Sequence, residues 1–396
     1  MLWRLPSRLV LPLRSAALRC LSAWRFLIIA FVDHRVQVKP SSPVRVYIAS
    51  LHWNNEGIFR DSWNKALLDL VLALGPSNVF VSVYENGSRD GSKAALRELD
   101  NALNAVGASR NITLDKTTHA DDIASPPLEP GNGWIKTPRG QIELRRIPYL
   151  ARLRNISLQP LRDMAQHGTT FDYVLFLNDV VFTVADVLTL LNTNKGEYAA
   201  ACSLDFSKPP SFYDTFALRD ASGNEYASQM WPYFRSSTSR AAMKRSEPVP
   251  VTSCWNGMVF MPATSFVGEN AIAFRGLDDK LAAQHLEGSE CCLVHTDNPS
   301  SAIRGVYLNP NVRVGYNRLA YDQVNPTGSW LTYTQIFTGQ WNNRLARWFT
   351  TPWFKEWRVR SLQSAWEKQN PGHKEEGSIC VINEMQVLIE NGWAHV

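Results

Sequence analysis

Phe171-Asp172-Tyr173-Val174-Leu175-Phe176-Leu177-Asn178-Asp179-Val180-Val181-Phe182 is a nearly continuous apolar run with one amide and one carboxylate set into its end. A strand covered on both faces reads this way, as parallel strands of doubly wound sheets do. A strand that closes on Asn178-Asp179 carries a carboxylate to the carboxyl edge of the sheet, where open α/β folds bind ligands. Taken alone, such an Asp is more simply a residue that turns the chain out of the sheet. The question is whether other segments build a site beside it.

Working outward, Arg45–Ala49 reads as a first strand that ends in the polar loop Ser50–Gly57. A helix follows with Phe59, Trp63, Leu67, Leu70, Val71 and Leu74 on one face, stopped by Gly75-Pro76. Val79–Tyr84 is a second strand, leading into the turn Glu85–Ser92 and a second amphipathic helix that stops at Gly107. Strand–helix–strand–helix order predicts a parallel sheet. From Ile112 to Arg139 the pattern loosens into an exposed excursion. A helix runs from Ile147 to about Met164 and breaks at Pro160. Val184–Leu191 is a short helix, and Tyr198–Cys202 is a strand ending in Ser203-Leu204-Asp205-Phe206.

Beyond it lies a polar loop region, Ser207 to Pro250. Ser253-Cys254-Trp255-Asn256-Gly257 then precedes the strand Met258–Met261, and a helix within Asp278–His295 carries Glu290. Val306–Leu308 and Val312–Val314 read as an antiparallel pair about Asn309-Pro310, and the tail is rich in Trp and Arg.

At 396 residues and 45% hydrophobic, the chain is sized for one large domain or two intimate ones. A net charge of +5 without a long basic block argues against nucleic acid as a partner. Residues 1–43 differ from the rest. Arg4, Arg8, Arg14, Arg19 and Arg25 are spread among Leu, Ala and Trp, with no acid before Asp33. The segment reads as a signal-anchor, as a mitochondrial-type presequence or as a mis-called start. Six cysteines include no CxxC of the metal-binding kind. Cys254 has Cys291 or Cys292 as conceivable partners, and the connectivity is not readable. Asn86, Asn111 and Asn155 head glycosylation sequons.

Three strands end in polar clusters: Asn54-Asn55-Glu56, Glu85-Asn86 and Asn178-Asp179. In a parallel sheet all three fall on one edge, offering acceptors for a base and ribose and a carboxylate for a divalent cation on a diphosphate. No P-loop, dinucleotide-binding glycine motif or nucleophile elbow is present. These clusters, with Arg154-Asn155, Leu177–Phe182, Ser253–Gly257, Ser289-Glu290-Cys291-Cys292 and the closing segments Cys380–Leu388 and Asn391-Gly392-Trp393, resemble the fungal cryptococcal mannosyltransferase and capsule-associated protein family (glycosyltransferase family 69) over residues 44–396.

The resemblance implies a GT-A fold: a Rossmann-like, mostly parallel sheet flanked by helices. It also implies a nucleotide-sugar half at 44–206 and an acceptor half with C-terminal closure at 207–396, joined in one catalytic domain. The implied activity is α-1,3-mannosyl transfer from GDP-mannose to a glycan acceptor with retention, assisted by Mn²⁺ or Mg²⁺, in a Golgi-type membrane-anchored enzyme.

Residue by residue, Asn178 and Asp179 stand at the place of the Asp-x-Asp motif, with only one Asp present. Asp205 and His295, and also Glu290, are candidates for the second metal ligand. Asn55, Glu56, Glu85 and Asn86 face the nucleotide, and Arg154 pairs with phosphate. Trp255, Asn256 and Gly257 form a small-residue loop at the transferred sugar, and Glu290 faces the acceptor. Plainer readings stand beside these: Asp205 as a turn cap, Trp255 as core, and His52 and His295 as hydrogen-bonded structural histidines. A different donor such as UDP-xylose, or a catalytically silent glycan-binding or polysaccharide-assembly role, fits the same fold.

Overall fold

The computed structural model describes residues 43–396, so the segment read above as an anchor or targeting sequence lies, but for its last residue, outside the described residues. In chain order the strands are β1 (Val46–His52), β2 (Val79–Glu85), β3 (Ser109–Leu114), β4 (Trp134–Lys136), β5 (Ile142–Leu144), β6 (Tyr173–Leu177), β7 (Ala200–Lys208), β8 (Ser211–Phe212), β9 (Arg219–Asp220), β10 (Val249–Ser253), β11 (Met258–Pro262), β12 (Glu287–Gly288), β13 (Val306–Gly315), β14 (Val381–Ile382), β15 (Gln386–Ile389) and β16 (Gly392–His395).

A ten-stranded sheet runs β3-β2-β1-β6-β11-β7-β13-β10-β9, with β8 paired to β7. β3, β2, β1 and β6 are parallel. β11 lies antiparallel between β6 and β7, and β13 runs parallel to β7. The mostly parallel sheet of a GT-A fold is therefore present, with β11 reversed between β6 and β7 and with β8 and β10 also running against the parallel set. Segments on both sides of residue 206 contribute strands to that one sheet.

Both faces of the sheet are covered. Along β1, Val46 and Ile48 enter one core, whereas Tyr47 and Ala49 enter the other. Along β6, Leu175 and Leu177 alternate in the same way with Val174 and Phe176. A period of two with apolar residues on both faces gives the uninterrupted run seen in the sequence. The first core is roofed by the helices Asn64–Leu74, Ser92–Ala105 and Val184–Leu191, and the second by Arg146–Ser157 and Gln159–Gln166. The break between the last two falls at Leu158, with Pro160 in the first turn of the second helix, where its missing N–H costs nothing.

Several expectations are corrected. β3 occupies the start of the segment read as loose. The expected antiparallel pair about Asn309-Pro310 is instead the single strand β13, with an irregularity between Leu308 and Arg313 that accommodates the proline. Asp205 lies inside β7 rather than at its end. The region read as loop from Ser207 to Pro250 holds β8, β9 and the helix Ser237–Lys244. The helix expected within Asp278–His295 is two short ones, Asp279–Ala282 and Glu290–Thr296, with β12 between them. Cys254 pairs with Cys202, Cys292 pairs with Cys380, and Cys291 is buried and free. Among the described residues no helix is long and apolar enough to cross a membrane.

Candidate active site

The ends of β2, β1 and β6 lie side by side, with His52 opposite Glu85. Asn55 joins the first strand end to the third. Its Nδ2 donates to Asp179 Oδ2 at 2.9 Å, and its Oδ1 accepts from the Trp53 amide. His52 sits between Ser50 Oγ (2.5 Å) and Asn55 Oδ1 (3.1 Å), and burial pushes its pKa down to about 3. The ring is therefore neutral at physiological pH, and its role is to fix Asn55.

Other strand-end groups hold one another. Glu56 Oε2 accepts from the Gly91 amide, and Glu56 Oε1 accepts from Arg60. Glu85 is buried, where it accepts from the Ser88 amide and pairs with Lys93. Asn86 Nδ2 donates to Tyr149 Oη and contacts His119 Nε2, and the His119 ring stacks on Trp53 at 4.5 Å. The expected nucleotide-facing carboxylates Glu56 and Glu85 thus tie down the turn after β2. A glycan on Asn86 is incompatible with its amide's buried contacts.

Next to this edge lies a cavity of about 540 Å³, lined by Arg154, Asn178, Asp214, Trp255, Glu290 and Tyr316 among others. Arg154 comes from the helix Arg146–Ser157 and donates from Nε to Glu290 Oε1 at 3.0 Å. Its guanidinium lies 4.5 Å from the centre of the Trp255 ring. Glu290 is the first residue of its helix, behind Ser289, whose Oγ caps it by accepting from the Cys291 amide. Trp255 is buried, and its Nε1 donates to Asn178 Oδ1 at 3.1 Å, so it positions Asn178 rather than offering a free stacking face.

Asn256 and Gly257 both have positive φ. Asn256 Nδ2 donates to Asp205 Oδ1 at 2.8 Å. A Cβ on Gly257 would stand 2.7 Å from Val314 Cγ2 and 3.2 Å from Val180 Cγ1. The small residue is needed where β13 and the chain just after β6 crowd in.

Negative charge gathers here. Burial pushes the Asp179 carboxyl up to about 6. Asp205 and Asp214 are both raised, first by burial; for Asp205 the charge of Asp214 is the next cause. Tyr316 Oη donates to Asp205 Oδ2 at 3.1 Å, and its own ionisation is suppressed by burial and by Asp205, Asp179 and Asp214. No sequence signal marks Asp214 or Tyr316: one follows the two-residue strand β8 and the other follows β13, and no periodicity distinguishes either.

The donor set fits a divalent cation at Asp179. This hard oxygen ligand is disfavoured as an anion, and among the side chains of the described residues only Asn55 bonds it. One or two carboxylates completed by phosphate oxygens is a common mode for Mg²⁺. Asp205 does not fit in this arrangement, because it is closed from solvent and already accepts from Asn256, the Asp214 amide and Tyr316. His295 is not brought to the site: its Nε2 is 2.7 Å from the Cys254 carbonyl oxygen, and it is buried. It does lie with Cys202 and Cys254, but their sulfurs are bonded to each other and offer no thiolate.

A search of curated proteins returns no match. Among solved structures, the mannosyltransferase PcManGT from Pyrobaculum calidifontis, in complex with GDP-Man and Mn²⁺, is similar at 11% identity and a TM-score of 0.37. That alignment covers 91% of this chain and 84% of the other. GalNAc-T7 with UDP, GalNAc and Mn²⁺ gives 12% identity and a TM-score of 0.36 over 69% and 43% of the two chains. TarS 1-349 of S. aureus gives 10% identity and 0.35 over 78% and 73%. The sequence profile of the family described as "Cryptococcal mannosyltransferase 1" matches residues 45–297, more than half of the chain. The protein belongs to that family and is a glycosyltransferase.

Proposed function

We propose that the protein transfers mannose from GDP-mannose to a mannoside hydroxyl, in α-1,3 linkage and with retention at the anomeric carbon. The observation that carries this reading is that Asn178 lines one cavity with the Arg154–Glu290 pair, beside Asp179, which Asn55 holds at the carboxyl edge of the sheet, in a chain of this family. Asp179 would hold the divalent cation, which when bound neutralises charge on the diphosphate. Arg154 supplies a guanidinium for the leaving phosphate oxygens, and Trp255 beneath it fixes its plane. Asn178, held by Trp255, orients the sugar.

The cavity's carboxylates are all engaged: Glu290 by Arg154, Asp214 by the Phe216 and Ala217 amides, Glu225 by Lys355 and Glu384 by Gln386. This supports a same-face route that needs no general base. The acceptor oxygen bonds to C1 as the C1–phosphate bond breaks, and the acceptor's proton passes to the leaving phosphate oxygen. The two disulfides support an oxidising compartment, in keeping with a lumenal, Golgi-type enzyme.

The test is transfer of radiolabelled mannose from GDP-mannose by the full-length chain, beside UDP-xylose, with Mn²⁺ or a chelator. Transfer from GDP-mannose is expected, with a loss of at least about a hundredfold in Asp179→Ala. Transfer from UDP-xylose alone would change the donor. The internal engagement of Glu56, Glu85 and Asn86 favours a second reading, a silent glycan-binding or assembly role. Absence of binding and of hydrolysis for every donor, together with measurable glycan binding, would favour that role over catalysis.

A further inference from the structure

The helices Tyr333–Phe349 and Trp353–Gln369 carry an apolar surface that the active site does not use. The first helix docks on the body through Ile336, Gly339 and Asn343. A Cβ on Gly339 would stand 2.2 Å from the Trp231 carbonyl oxygen, and Asn343 Nδ2 donates to Phe234 O. That contact fixes which face is turned away. Phe337, Trp341, Leu345 and Trp348 follow at intervals of four, four and three residues, a continuous stripe along the outer face. Phe349, Trp353, Phe354 and Trp357 extend it across the connection. All eight are between 40% and 79% exposed. A patch of this kind on a soluble surface marks an interaction site.

Charge says which kind. Residues 333–360 hold Arg344, Arg347, Lys355, Arg358 and Arg360 against one acid, Glu356. Lys355 pairs with Glu225 and Arg360 with Glu356. Arg344 lies over the Trp341 ring, and Arg347 is held below its ordinary pKa by partial burial and by the charges of Arg344 and Arg235. Arg240 is lowered in the same way, by burial and then Arg347. Among the described residues no carboxylate forms an ion pair with Arg235, Arg240, Arg344 or Arg347. An arginine cluster beside exposed tryptophans matches a surface that is apolar within and anionic at its rim.

We propose that this helical hairpin lies on an anionic membrane surface, with its aromatic side chains in the headgroup–acyl boundary and its arginines on lipid phosphates. An acidic glycan would also offer anions, but sugars stack on flat rings set in a trough with hydrogen-bonding groups beside them. Here the rings stand along a convex helix with Leu345 in line. The surface is built from residues other than 1–43 and does not depend on the donor. Because Lys355 also lines the active cavity, binding brings the cavity mouth close to the membrane plane.

The test uses the full chain with vesicles of phosphatidylcholine, alone or with about a third phosphatidylserine, read by flotation and by hydrogen exchange over residues 333–357. Wild type is expected to partition at least about tenfold more strongly onto the anionic vesicles and to gain exchange protection in that segment. Combined Phe337→Ser, Trp341→Ser, Trp348→Ser and Trp353→Ser is expected to lower partitioning at least about tenfold while leaving transfer in solution unchanged. Equal partitioning of the variant would assign the binding to residues 1–43 and overturn the proposal. Protection of the segment by an acidic oligosaccharide but not by vesicles would overturn it in favour of glycan.

Discussion

Replacing Asp179 with Asn removes a charge that the fold works against. Burial raises this carboxyl from 3.8 to about 6. At 1.36 kcal/mol per pKa unit, the ionised group destabilises the folded state by roughly 3 kcal/mol once the pH is above 6, and partial exposure trims this to about 2. The sign follows from proton uptake. Below 3.8 the carboxyl is neutral in both folded and unfolded chains, and nothing is lost. Between 3.8 and about 6 the folded protein holds the proton more tightly, so stability falls as pH rises, and above that range the loss is complete.

Asn preserves the side-chain volume and an acceptor for Asn55 Nδ2. Asp179→Asn is therefore expected to be more stable than wild type by about 2 kcal/mol near pH 7.5 and equal to it near pH 4, while losing transfer activity. Urea unfolding followed by tryptophan fluorescence at the two pH values measures the first effect, and mannosyl transfer measures the second. Mn²⁺ with GDP should stabilise wild type and not the variant. A variant no more stable than wild type at the higher pH, or a gain that persists at the lower one, would refute burial of the charge as the cause.

Other expectations rest on neighbouring features. Arg154→Ala leaves Glu290 buried without its partner and should destabilise by about 3–5 kcal/mol. Arg154→Met with Glu290→Gln should regain most of that stability in thermal unfolding but none of the activity. Gly257→Ala places a methyl group against Val314 at positive φ and should cost at least about 2 kcal/mol in urea unfolding. Asn111 is exposed on β3, whereas Asn86 and Asn155 donate to Tyr149 and to the Phe274 carbonyl. When the chain is made through a eukaryotic secretory pathway, Asn111→Gln alone should remove a glycosidase-sensitive mass increment, read by intact mass spectrometry.

The sequence exposes what is local and periodic. β1, β2 and β6 are legible because each is apolar on both faces, and their shared edge follows from parallel order. β3 is hidden because an edge strand with Ser109 and Asn111 turned to solvent has no apolar run. β13 reads as a hairpin because Asn309-Pro310 is also the signature of a turn, and only its pairing with β7 shows one strand with an irregularity. The candidate site divides in the same way. Asn178 and Asp179 are visible at a strand end, as is Arg154 on an apolar helix. The partners of Asp205 are the Asn256 and Tyr316 side chains and the Asp214 amide, and nothing local announces groups that meet across 51, 111 and 9 positions of sequence. Glu56 and Glu85 look available because the groups that occupy them, Gly91 in the turn after β2 and Lys93 in the first turn of the following helix, are brought to them only by tertiary closure.

The reversed strand β11 also constrains how the chain comes to fold. β6 and β7 are not paired with each other; residues 258–262 lie between them and leave the ribosome some fifty residues after β7. β13, which pairs with β7 on its opposite side, is made later still. Until then two strands present open edges, the condition that invites pairing with another chain. Much of the sheet's pairing is non-local, so folding should be slow, and the emerging N-terminal half should depend on chaperones rather than fold as a unit on its own.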